Sequence, residues 1–441
     1  MKDKLSEVLN QIGDRHIEEA AAMKRRIRLP AWTKAAAAVL VITVLIGLLG
    51  PTVSLQAAAV VLADYPEYQY TNMKREEALL MQDFFFNSMG TTLAGLSGEN
   101  GAYSPLNLAM ALSVLAEITD GEAQEEILDA MNATDIKSLR ARANLMWRAS
   151  YYDGDNKTTL ANSLWLDSSV DFNRDVMNTL AQNYYTSSYR GNLGSDRINK
   201  LITQWLDQQT GNLLKSDTAK VQLPEETVLA LYSTIFYRAK WQNEFNPKNN
   251  TEGIFHSPAG DRTTTFMNKQ RMTGAYYWAE NFGAISLSLK GGTTMWLFLP
   301  DGNKTVDDVL SSTDYMDVIY HNSENGKGMF INLSIPKFDI RQSGNLKGDL
   351  EKMGITAVFD PDANAFASSV FGTEVHLTSA SQVTRVVIDE EGITAASYIE
   401  FPGAMSPAPP DDEIDFILDR PFLFVITSGS LPLFAGVVNQ P

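Results

Sequence analysis

Cysteine is absent from the 441 residues, and histidine occurs only at His16, His256, His321 and His376. Without cysteine the chain has no disulfide framework, no thiolate nucleophile and no Cys-rich zinc site. The histidines are scattered, and the signatures H-E-x-x-H, G-x-S-x-G, G-x-G-x-x-G and the P-loop do not occur. We therefore expect a protein that is not an enzyme and needs no cofactor or metal. A surface hydrolase is kept as a minor alternative.

Positive charge is also in short supply, because 36 Lys and Arg stand against 53 Asp and Glu, a formal net charge of −17. A nucleic-acid partner is not expected, since phosphate binding needs clustered cations that release counterions. The charge is unevenly spread along the chain. Residues 1–34 carry eight basic and five acidic groups, a net +3, which leaves 28 basic and 48 acidic groups, a net −20, for the rest.

The basic leader at 1–34 ends just before an uncharged apolar stretch at 35–55. About 20 apolar residues are enough to cross the hydrocarbon core of a membrane. Positive charge before such a stretch predicts a cytoplasmic leader, a transmembrane anchor at 35–55 and a remainder outside the cytoplasm. Residues 56–72, which include Pro66 and three tyrosines, are interpreted as a linker.

Two other interpretations of the apolar stretch stay open. The small residues Ala57, Ala58 and Ala59 offer a cleavage site, so the stretch could belong to a signal peptide, and the protein would then be secreted. A leader of 34 residues is long for a signal peptide, which favours the anchor. The third interpretation, a buried helix of a soluble protein, is disfavoured by the basic cluster at 24–28.

Helix signals come first along the remaining chain, and strand signals follow. Ser104 and Pro105 supply a capping hydroxyl and a first-turn proline, which predicts a helix start. Thr119 and Glu122 have capping-box spacing before a second helix. Later segments are β-branched or aromatic runs, at 227–238, 284–290, 293–299, 329–335, 383–388, 421–427 and 431–438. This order predicts an α+β fold with sizeable antiparallel sheets.

The segment after the strand at 383–388 is the most informative part of the chain. It begins with Asp389, Glu390, Glu391 and Gly392, and continues through small, apolar and proline residues to Asp415. Loops longer than about 15 residues inside a compact domain are usually functional or disordered. An ordinary surface loop is the alternative interpretation.

Several motifs resemble the serpin family, in the order in which serpins carry them. The C-terminal segments 416–424 (FILDRPFLF) and 433–441 (LFAGVVNQP) resemble the family's signature and its terminal strand. Upstream similarities comprise Asn100 with Ser104-Pro105, Trp205 with Thr210, the segment 236–241 (FYRAKW) with Phe245, Thr251 and Phe255, the segment 336–338 (PKF) and the segment 353–355 (MGI). The resemblance covers a serpin domain at 73–441, and the predicted anchor suggests the bacterial type.

The resemblance implies a serpin fold, with N-terminal helices, three β-sheets and an exposed reactive-centre loop. It also implies that the protein is a monomeric suicide substrate that inhibits a serine protease or a cysteine protease. The protease cleaves the loop, and the acylated loop then inserts as a new strand into the central sheet, an example of strand addition and of released strain. A non-inhibitory serpin that acts as a substrate, binder or carrier is the alternative.

The hinge of such a loop corresponds to Glu390, Glu391, Gly392, Ile393, Thr394, Ala395, Ala396 and Ser397. Insertion buries alternate side chains, so the residues that face inward need to be uncharged. The inward set implied by the resemblance meets this condition and consists of Ile393, Ala395, Ser397, Ile399 and Phe401. Two residues depart from the family pattern: Ile393 is bulkier than the usual Thr, Ser or Val, and Pro402 has no N–H for a strand ladder.

The positions beneath the opening sheet, called the shutter, correspond to Ser104, Asn107, Ser233 and Gln382. The family usually has Ser, Ser, Asn and His there, so an amide has moved to the helix and Gln replaces the imidazole. These polar side chains can satisfy one another when buried, although unrelated polar core residues are the alternative. Trp241 corresponds to the entry point of the loop, called the breach, and an ordinary core tryptophan would fit the sequence equally well.

The reactive bond is expected between Met405 and Ser406, and the next choice lies between Ala404 and Met405. Uniform counting from Glu390 gives the bond after Ser406, but Pro407 would then follow the bond and block most serine proteases. No Arg or Lys occurs at 392–418. An elastase- or subtilisin-like target is therefore expected rather than a trypsin-like one.

Overall fold

The structure is a computed structural model, and it describes residues 60–63, 67, 69–96, 98–153, 157–211, 221–321, 326–393 and 412–441. The predicted leader at 1–34 and the predicted anchor at 35–55 lie outside the described residues. None of the helices that the structure describes combines the length and the apolar character needed to cross a membrane. The described residues all belong to one contact-defined unit, Ala58–Pro441.

Most of the described helices precede most of the strands, as the capping signals predict. They are α1 (Arg75–Leu79), α2 (Gln82–Leu93), α3 (Pro105–Ile118), α4 (Gly121–Ala130), α5 (Ile136–Ser150), α6 (Arg174–Tyr184), α7 (Asp196–Gln209), α8 (Val306–Leu310), α9 (Asp314–His321) and α10 (Lys347–Lys352). Ser104 caps α3, because its Oγ accepts a hydrogen bond from the N–H of Asn107 at 3.3 Å. Pro105 occupies the first helical position, where no N–H is required.

The capping box predicted at Thr119 and Glu122 is wrong. Thr119 is the C-cap that follows α3, and its hydroxyl donates a hydrogen bond to the carbonyl of Leu115 at 2.9 Å, so it serves the preceding helix. The N-cap of α4 is Asp120, and that helix begins at Gly121. Spacing alone did not reveal that the hydroxyl serves the helix before it.

The strands alternate with short turns from the middle of the chain onward. They are β1 (Val60–Ala63), β2 (Gly101–Tyr103), β3 (Tyr152–Asp153), β4 (Lys157–Asp167), β5 (Asp171–Phe172), β6 (Thr186–Gly191), β7 (Leu229–Lys240), β8 (Thr251–Ser257), β9 (Gly260–Trp278), β10 (Phe282–Leu289), β11 (Thr293–Pro300), β12 (Gly326–Pro336), β13 (Phe338–Asn345), β14 (Val370–Phe371), β15 (Ser381–Ile388), β16 (Gly392–Ile393), β17 (Glu413–Ile417), β18 (Phe422–Ser428) and β19 (Leu431–Val438). Each predicted β-rich run coincides with one of these strands to within a few residues.

Two large sheets hold most of the described strands. Sheet 1 has the order β1–β6–β4–β7–β16, with β3 beside β4, and only β4 and β6 run parallel. Sheet 2 has the order β17–β12–β9–β10–β11–β18–β19–β2, with β8 beside β9, and only β12 and β17 run parallel. β13 pairs with β15, and β5 pairs with β14, in two further antiparallel ladders.

The predicted α+β fold is confirmed, but the described strands are not divided into three sheets. β9 is 19 residues long and pairs with β8, β10 and β12 along its length, so these strands join into one continuous sheet. The pair β13–β15 stands apart from sheet 1. The predicted linker at 56–72 includes β1, which pairs with β6 at the outer edge of sheet 1.

The two large sheets differ in burial. β19 is buried at every position, and β18 at all but its last, and both strands pack with α2 and α3 in one hydrophobic cluster. Burying each large apolar side chain contributes roughly 1.5–3 kcal/mol, so this cluster is the stable base of the domain. Most residues of β7 are only half-buried, although β7 lies between β4 and the short strand β16 in sheet 1.

One edge of β7 has little pairing among the described residues. One edge of β7 pairs with β4 along the strand. On the other edge, the only described pairing is β16 against Ala239 and Lys240. β15 likewise pairs with β13 on one edge and with no described strand on the other. Since residues 389–391 join β15 to β16, the edges of β7 and β15 that lack a partner among the described strands flank the same space, which we call the slot.

Candidate functional site

The predicted hinge begins where the slot begins. Its first four residues, Glu390, Glu391, Gly392 and Ile393, are described, and the last two of them form β16. The other hinge residues and the predicted reactive bonds lie outside the described residues; they are Thr394, Ala395, Ala396, Ser397, Ala404, Met405 and Ser406.

Asp389 reverses the chain between β15 and β16. Its Oδ1 accepts hydrogen bonds from the N–H of Glu391 at 2.9 Å and of Gly392 at 3.2 Å. The N–H of Asp389 donates to the carbonyl of Gly392 at 3.2 Å. An aspartate whose side chain binds backbone two or three residues ahead is a typical turn former. Sequence reasoning began the hinge one residue later and missed this side chain.

Gly392 brings the hinge into contact with β7. Its φ is +143°, a conformation that favours glycine. A Cβ at this position would lie 2.5 Å from the carbonyl oxygen of Ala239 and 2.5 Å from the Cα of Lys240. Both are backbone atoms of β7, so the close approach of the two strands requires the absence of a side chain.

Glu390 is held by two partners from distant parts of the chain. Its Oε1 lies 2.5 Å from Lys337 Nζ and accepts a hydrogen bond from Asn250 Nδ2, also at 2.5 Å. The side chain of Glu390 is 13% exposed, and that of Lys337 is 38% exposed. The backbone carbonyl of Glu390 accepts a hydrogen bond from the N–H of Phe245 at 3.0 Å. Asn250 and Lys337 are site residues that sequence reasoning did not assign, because their partner is far away along the chain.

Acid is expected to weaken the contribution of Glu390 to stability. Burial raises the pKa of its carboxyl, but the hydrogen bonds from Lys337 and Asn250 outweigh burial and leave that pKa below its usual value. A lowered pKa in the folded state stabilises the fold above the unfolded pKa, about 4.3, and this stabilisation is lost as the pH falls through the lower folded pKa. The Glu390→Gln variant should therefore be less stable than the parent by about 1–2 kcal/mol at neutral pH, since Lys337 is partly screened by solvent.

The measurement is urea unfolding of the parent and of Glu390→Gln between pH 3 and pH 8. The difference in the free energy of unfolding should be constant above about pH 5.5 and shrink below about pH 4.3. A difference that does not change with pH would show that Glu390 is not held as a carboxylate.

Trp241 joins β7 to the hinge. It is 1% exposed, and its Nε1 donates to the carbonyl of Asp389 at 2.8 Å. Its backbone N–H donates to the carbonyl of Glu391 at 3.0 Å, and its ring contacts that of Phe245 edge-on at a centroid distance of 5.7 Å. Trp241 is therefore both a core tryptophan and a residue at the start of the slot, so the two interpretations of the sequence do not exclude one another.

The shutter residues form two pairs, which are joined by the hydrogen bond from the N–H of Asn107 to Ser104 Oγ that caps α3. Ser233 Oγ, on β7, donates to Asn107 Oδ1 at 2.6 Å, and Asn107 Nδ2 donates to the carbonyl of Ser233 at 3.2 Å. Gln382 Oε1, on β15, accepts from the N–H of Ser104 at 3.0 Å, and Gln382 Nε2 lies 3.3 Å from the carbonyl of Ser104. The start of α3 thus holds each edge of the slot by its own pair of hydrogen bonds.

Replacing Gln382 with alanine should destabilise the fold by about 1–3 kcal/mol, because the N–H of Ser104 would lose its partner. Ser104 is 1% exposed, so water cannot easily replace the lost carbonyl. Urea unfolding measures the change, and Ser381→Ala, at an exposed position on the same strand, is the control and should change stability by less than about 0.5 kcal/mol. Equal effects of the two substitutions would contradict the assignment.

Comparison with known proteins gives a family match over most of the chain. A family model described as "Serpin (serine protease inhibitor)" matches residues 80–441. Among curated proteins, an alpha-1-antiproteinase of Rattus norvegicus is 26% identical over 374 residues, which cover 82% of this chain and 88% of the relative. Serpin-ZX of Arabidopsis thaliana is 24% identical over 370 residues, which cover 78% of this chain and 92% of the relative.

Solved structures show the same fold. The native state of the thermophilic serpin tengpin has a TM-score of 0.76 at 21% identity, covering 87% of this chain and all of that one. Thyroxine-binding globulin in complex with thyroxine has a TM-score of 0.70 at 19% identity, covering 83% of this chain and 99% of that one. These similarities confirm the fold expected from the motifs.

Proposed function

This chain belongs to the serpin family, and from that premise we propose that it inhibits a serine protease of elastase- or subtilisin-like specificity as a suicide substrate. Cleavage of the loop would release its N-terminal part, which would continue β16 into the slot. The inserted strand would carry the acylated protease with it. A cysteine protease that cleaves the same loop would be trapped in the same way.

The single observation that carries the proposal is the position of β16. Gly392 and Ile393 pair antiparallel with Lys240 and Ala239, so the first two residues of an added strand already lie on β7. Among the described residues, the remaining free edges of β7 and β15 have no other partner. Unpaired backbone N–H and C=O groups at such edges are the binding site for an additional strand.

Some features of the loop sequence favour insertion, and two of its residues disfavour it. The inward set from Ile393 to Phe401 is uncharged, so no charge would be buried. Ile393 and Pro402 depart from the inhibitory pattern, and thyroxine-binding globulin, a structural relative, is seen with thyroxine. A non-inhibitory serpin that is cleaved or carries a ligand is therefore the second candidate.

Incubation with elastase and with subtilisin, followed by denaturing electrophoresis, tests the proposal. A covalent complex that survives the detergent is expected with at least one of them, and none with trypsin. Ile393→Arg is the matched control, because it would bury a charge on insertion and should give cleaved chain without complex. Cleavage of the parent without any complex would overturn inhibition and leave the substrate-type or carrier serpin.

A second measurement tests insertion without reference to inhibition. Cleavage of the loop should raise the melting temperature, because the new strand would satisfy the free edges of β7 and β15. An unchanged melting temperature would mean that the cleaved loop stays out of the slot.

The proposed location follows from the sequence: a bacterial cell membrane, with residues 1–34 in the cytoplasm and the serpin domain outside. Alkaline extraction of membranes and protease treatment of intact spheroplasts test it. The anchored form should stay with the membrane and be digested from outside. Release into the medium, with a new N-terminus after residues 57–59, would instead indicate a cleaved signal peptide.

A further inference from the structure

An open surface pocket of about 510 Å³, which we call the cavity, lies between the turn that follows β7 and the middle of β9. Five of its nine lining residues carry amide side chains, namely Asn243, Asn246, Asn249, Asn268 and Gln270. Amides both donate and accept hydrogen bonds, so these side chains are able to bind peptide groups and carboxylate oxygens.

Lys269 supplies the cavity with a cation that is paired with no carboxylate among the described residues. Its Nζ donates to the carbonyl of Asn243 and lies 4.2 Å from the centroid of the Phe245 ring. The ion pairs found in the described part of the chain include neighbouring lysines of this end of the domain, namely Lys240, Lys290 and Lys337, but not Lys269. A carbonyl and a ring replace only part of the hydration that the ammonium group has lost.

The incomplete replacement of hydration affects the pKa of Lys269. Burial lowers the pKa of its amine to about 8. The group is still mostly protonated at neutral pH. A carboxylate placed beside it would favour the charged form and raise that pKa again.

The other charges around the cavity do not oppose an anion. Glu244 also lines the cavity, but its Oε1 lies 3.6 Å from Lys240 Nζ and 3.8 Å from Lys290 Nζ. Arg271, which follows Gln270 on β9, is paired with Glu413 of β17. Lys240 Nζ also lies 3.7 Å from Glu391 Oε2, so Lys240 and Lys290 are balanced by two carboxylates. Lys269 is the lysine at the cavity that has no carboxylate partner among the described residues.

We propose that this cavity is a binding site for a carboxylate, carried either by a small molecule or by an acidic side chain of a peptide. Lys269 is its charged partner, and the amides bind the oxygens of the carboxylate and the polar groups attached to it.

The turn that lines one side of the cavity also contacts the hinge. The turn that carries Asn243 and Asn249 also carries Phe245, whose N–H donates to the carbonyl of Glu390 at 3.0 Å. A carboxylate that draws Lys269 Nζ away from the carbonyl of Asn243 would change the support of this turn. Binding in the cavity and the position of the hinge are therefore coupled, and by linkage the coupling acts in both directions.

The test follows the titration of individual lysines in the full chain, kept in a non-ionic detergent. The lysines are dimethylated with ¹³C-formaldehyde, and proton–carbon spectra are recorded from pH 6 to pH 11. The resonances of Lys269 and Lys248 are assigned from the Lys269→Met and Lys248→Met variants. Lys248 is the matched control, because it lies in the same turn but is exposed and does not line the cavity.

The probes are succinate and the peptide acetyl-Gly-Glu-Gly-amide, at constant ionic strength, with acetyl-Gly-Gln-Gly-amide as the uncharged control. A carboxylate in the cavity should raise the titration midpoint of Lys269 by about half a pH unit and leave Lys248 unchanged. A shift with succinate indicates a site for free carboxylates, and a shift with the Glu peptide alone indicates a protein-borne one.

The proposal is overturned if neither probe moves Lys269 further than the Gln peptide does, or if Lys248 moves equally. The readout requires no protease, so this outcome is independent of whether the protein is an inhibitor.

Discussion

The Gly392→Ala variant should be cleaved by a target protease at nearly the parent rate but should form about tenfold less covalent complex. The new Cβ would lie 2.5 Å from the carbonyl oxygen of Ala239 and from the Cα of Lys240, and neither backbone atom can move without shifting β7. The φ of +143° adds strain of about 1–3 kcal/mol for a residue other than glycine. If β16 cannot pair with β7, insertion slows, and the acyl-enzyme has time to hydrolyse.

Gly372→Ala is the control variant, because it introduces backbone strain at a positive φ without a clash against another strand. Gly372 also has a positive φ, +90°, but a Cβ added there would have no other atom within 4 Å beyond its chain neighbours. The control should lose some stability and keep the parent's yield of complex on denaturing gels. Equal losses of complex in both variants would show that contact between Gly392 and β7 has no special part in insertion.

Replacing Trp241 with alanine should lower the free energy of unfolding by about 3–5 kcal/mol, the largest change in stability that we predict. The side chain is 1% exposed, and its Nε1 is bonded to the carbonyl of Asp389. Its loss would leave a cavity beside Phe245 and would remove one of the contacts that hold the hinge.

The same substitution at an exposed tryptophan is the control for Trp241→Ala. Trp278 is 43% exposed and ends β9, so Trp278→Ala should cost much less in urea unfolding. If the two variants lost similar stability, the contacts of Trp241 with the hinge would not explain its effect. Loss of complex formation together with stability is expected only for Trp241.

Features that depend on near neighbours in the chain could be predicted from the sequence. β19 has the predicted bounds, Leu431–Val438, and Ser104 caps the helix that starts at Pro105. Alternating or β-branched runs and capping residues act over a few positions, so their signal is local. The capping box failed because Thr119 had two helices within reach, and the sequence does not say which one its hydroxyl serves.

The site needed contacts that no local pattern contains. The positions of Ser104, Asn107, Ser233 and Gln382 came from the family resemblance, but only the structure shows which of them are hydrogen-bonded to one another. The partners of Glu390 lie far away along the chain, Asn250 by 140 residues. The same holds for Lys269, because its surroundings of amides, a carbonyl and a ring can be recognised only once its neighbours in space are known.

Sheet 2 can be completed only at the end of synthesis, because the last strand, β19, pairs with β2. Asn100, just before β2, binds the backbone of Gln440 across 340 residues, and β19 completes sheet 2 beside β2. Contacts between such distant segments form slowly, because a large loop must close before they can stabilise anything. Until the ribosome has released β18 and β19, the faces of α2 and α3 that pack against β19 stay uncovered. The newly made chain therefore spends most of its synthesis time at risk of aggregation.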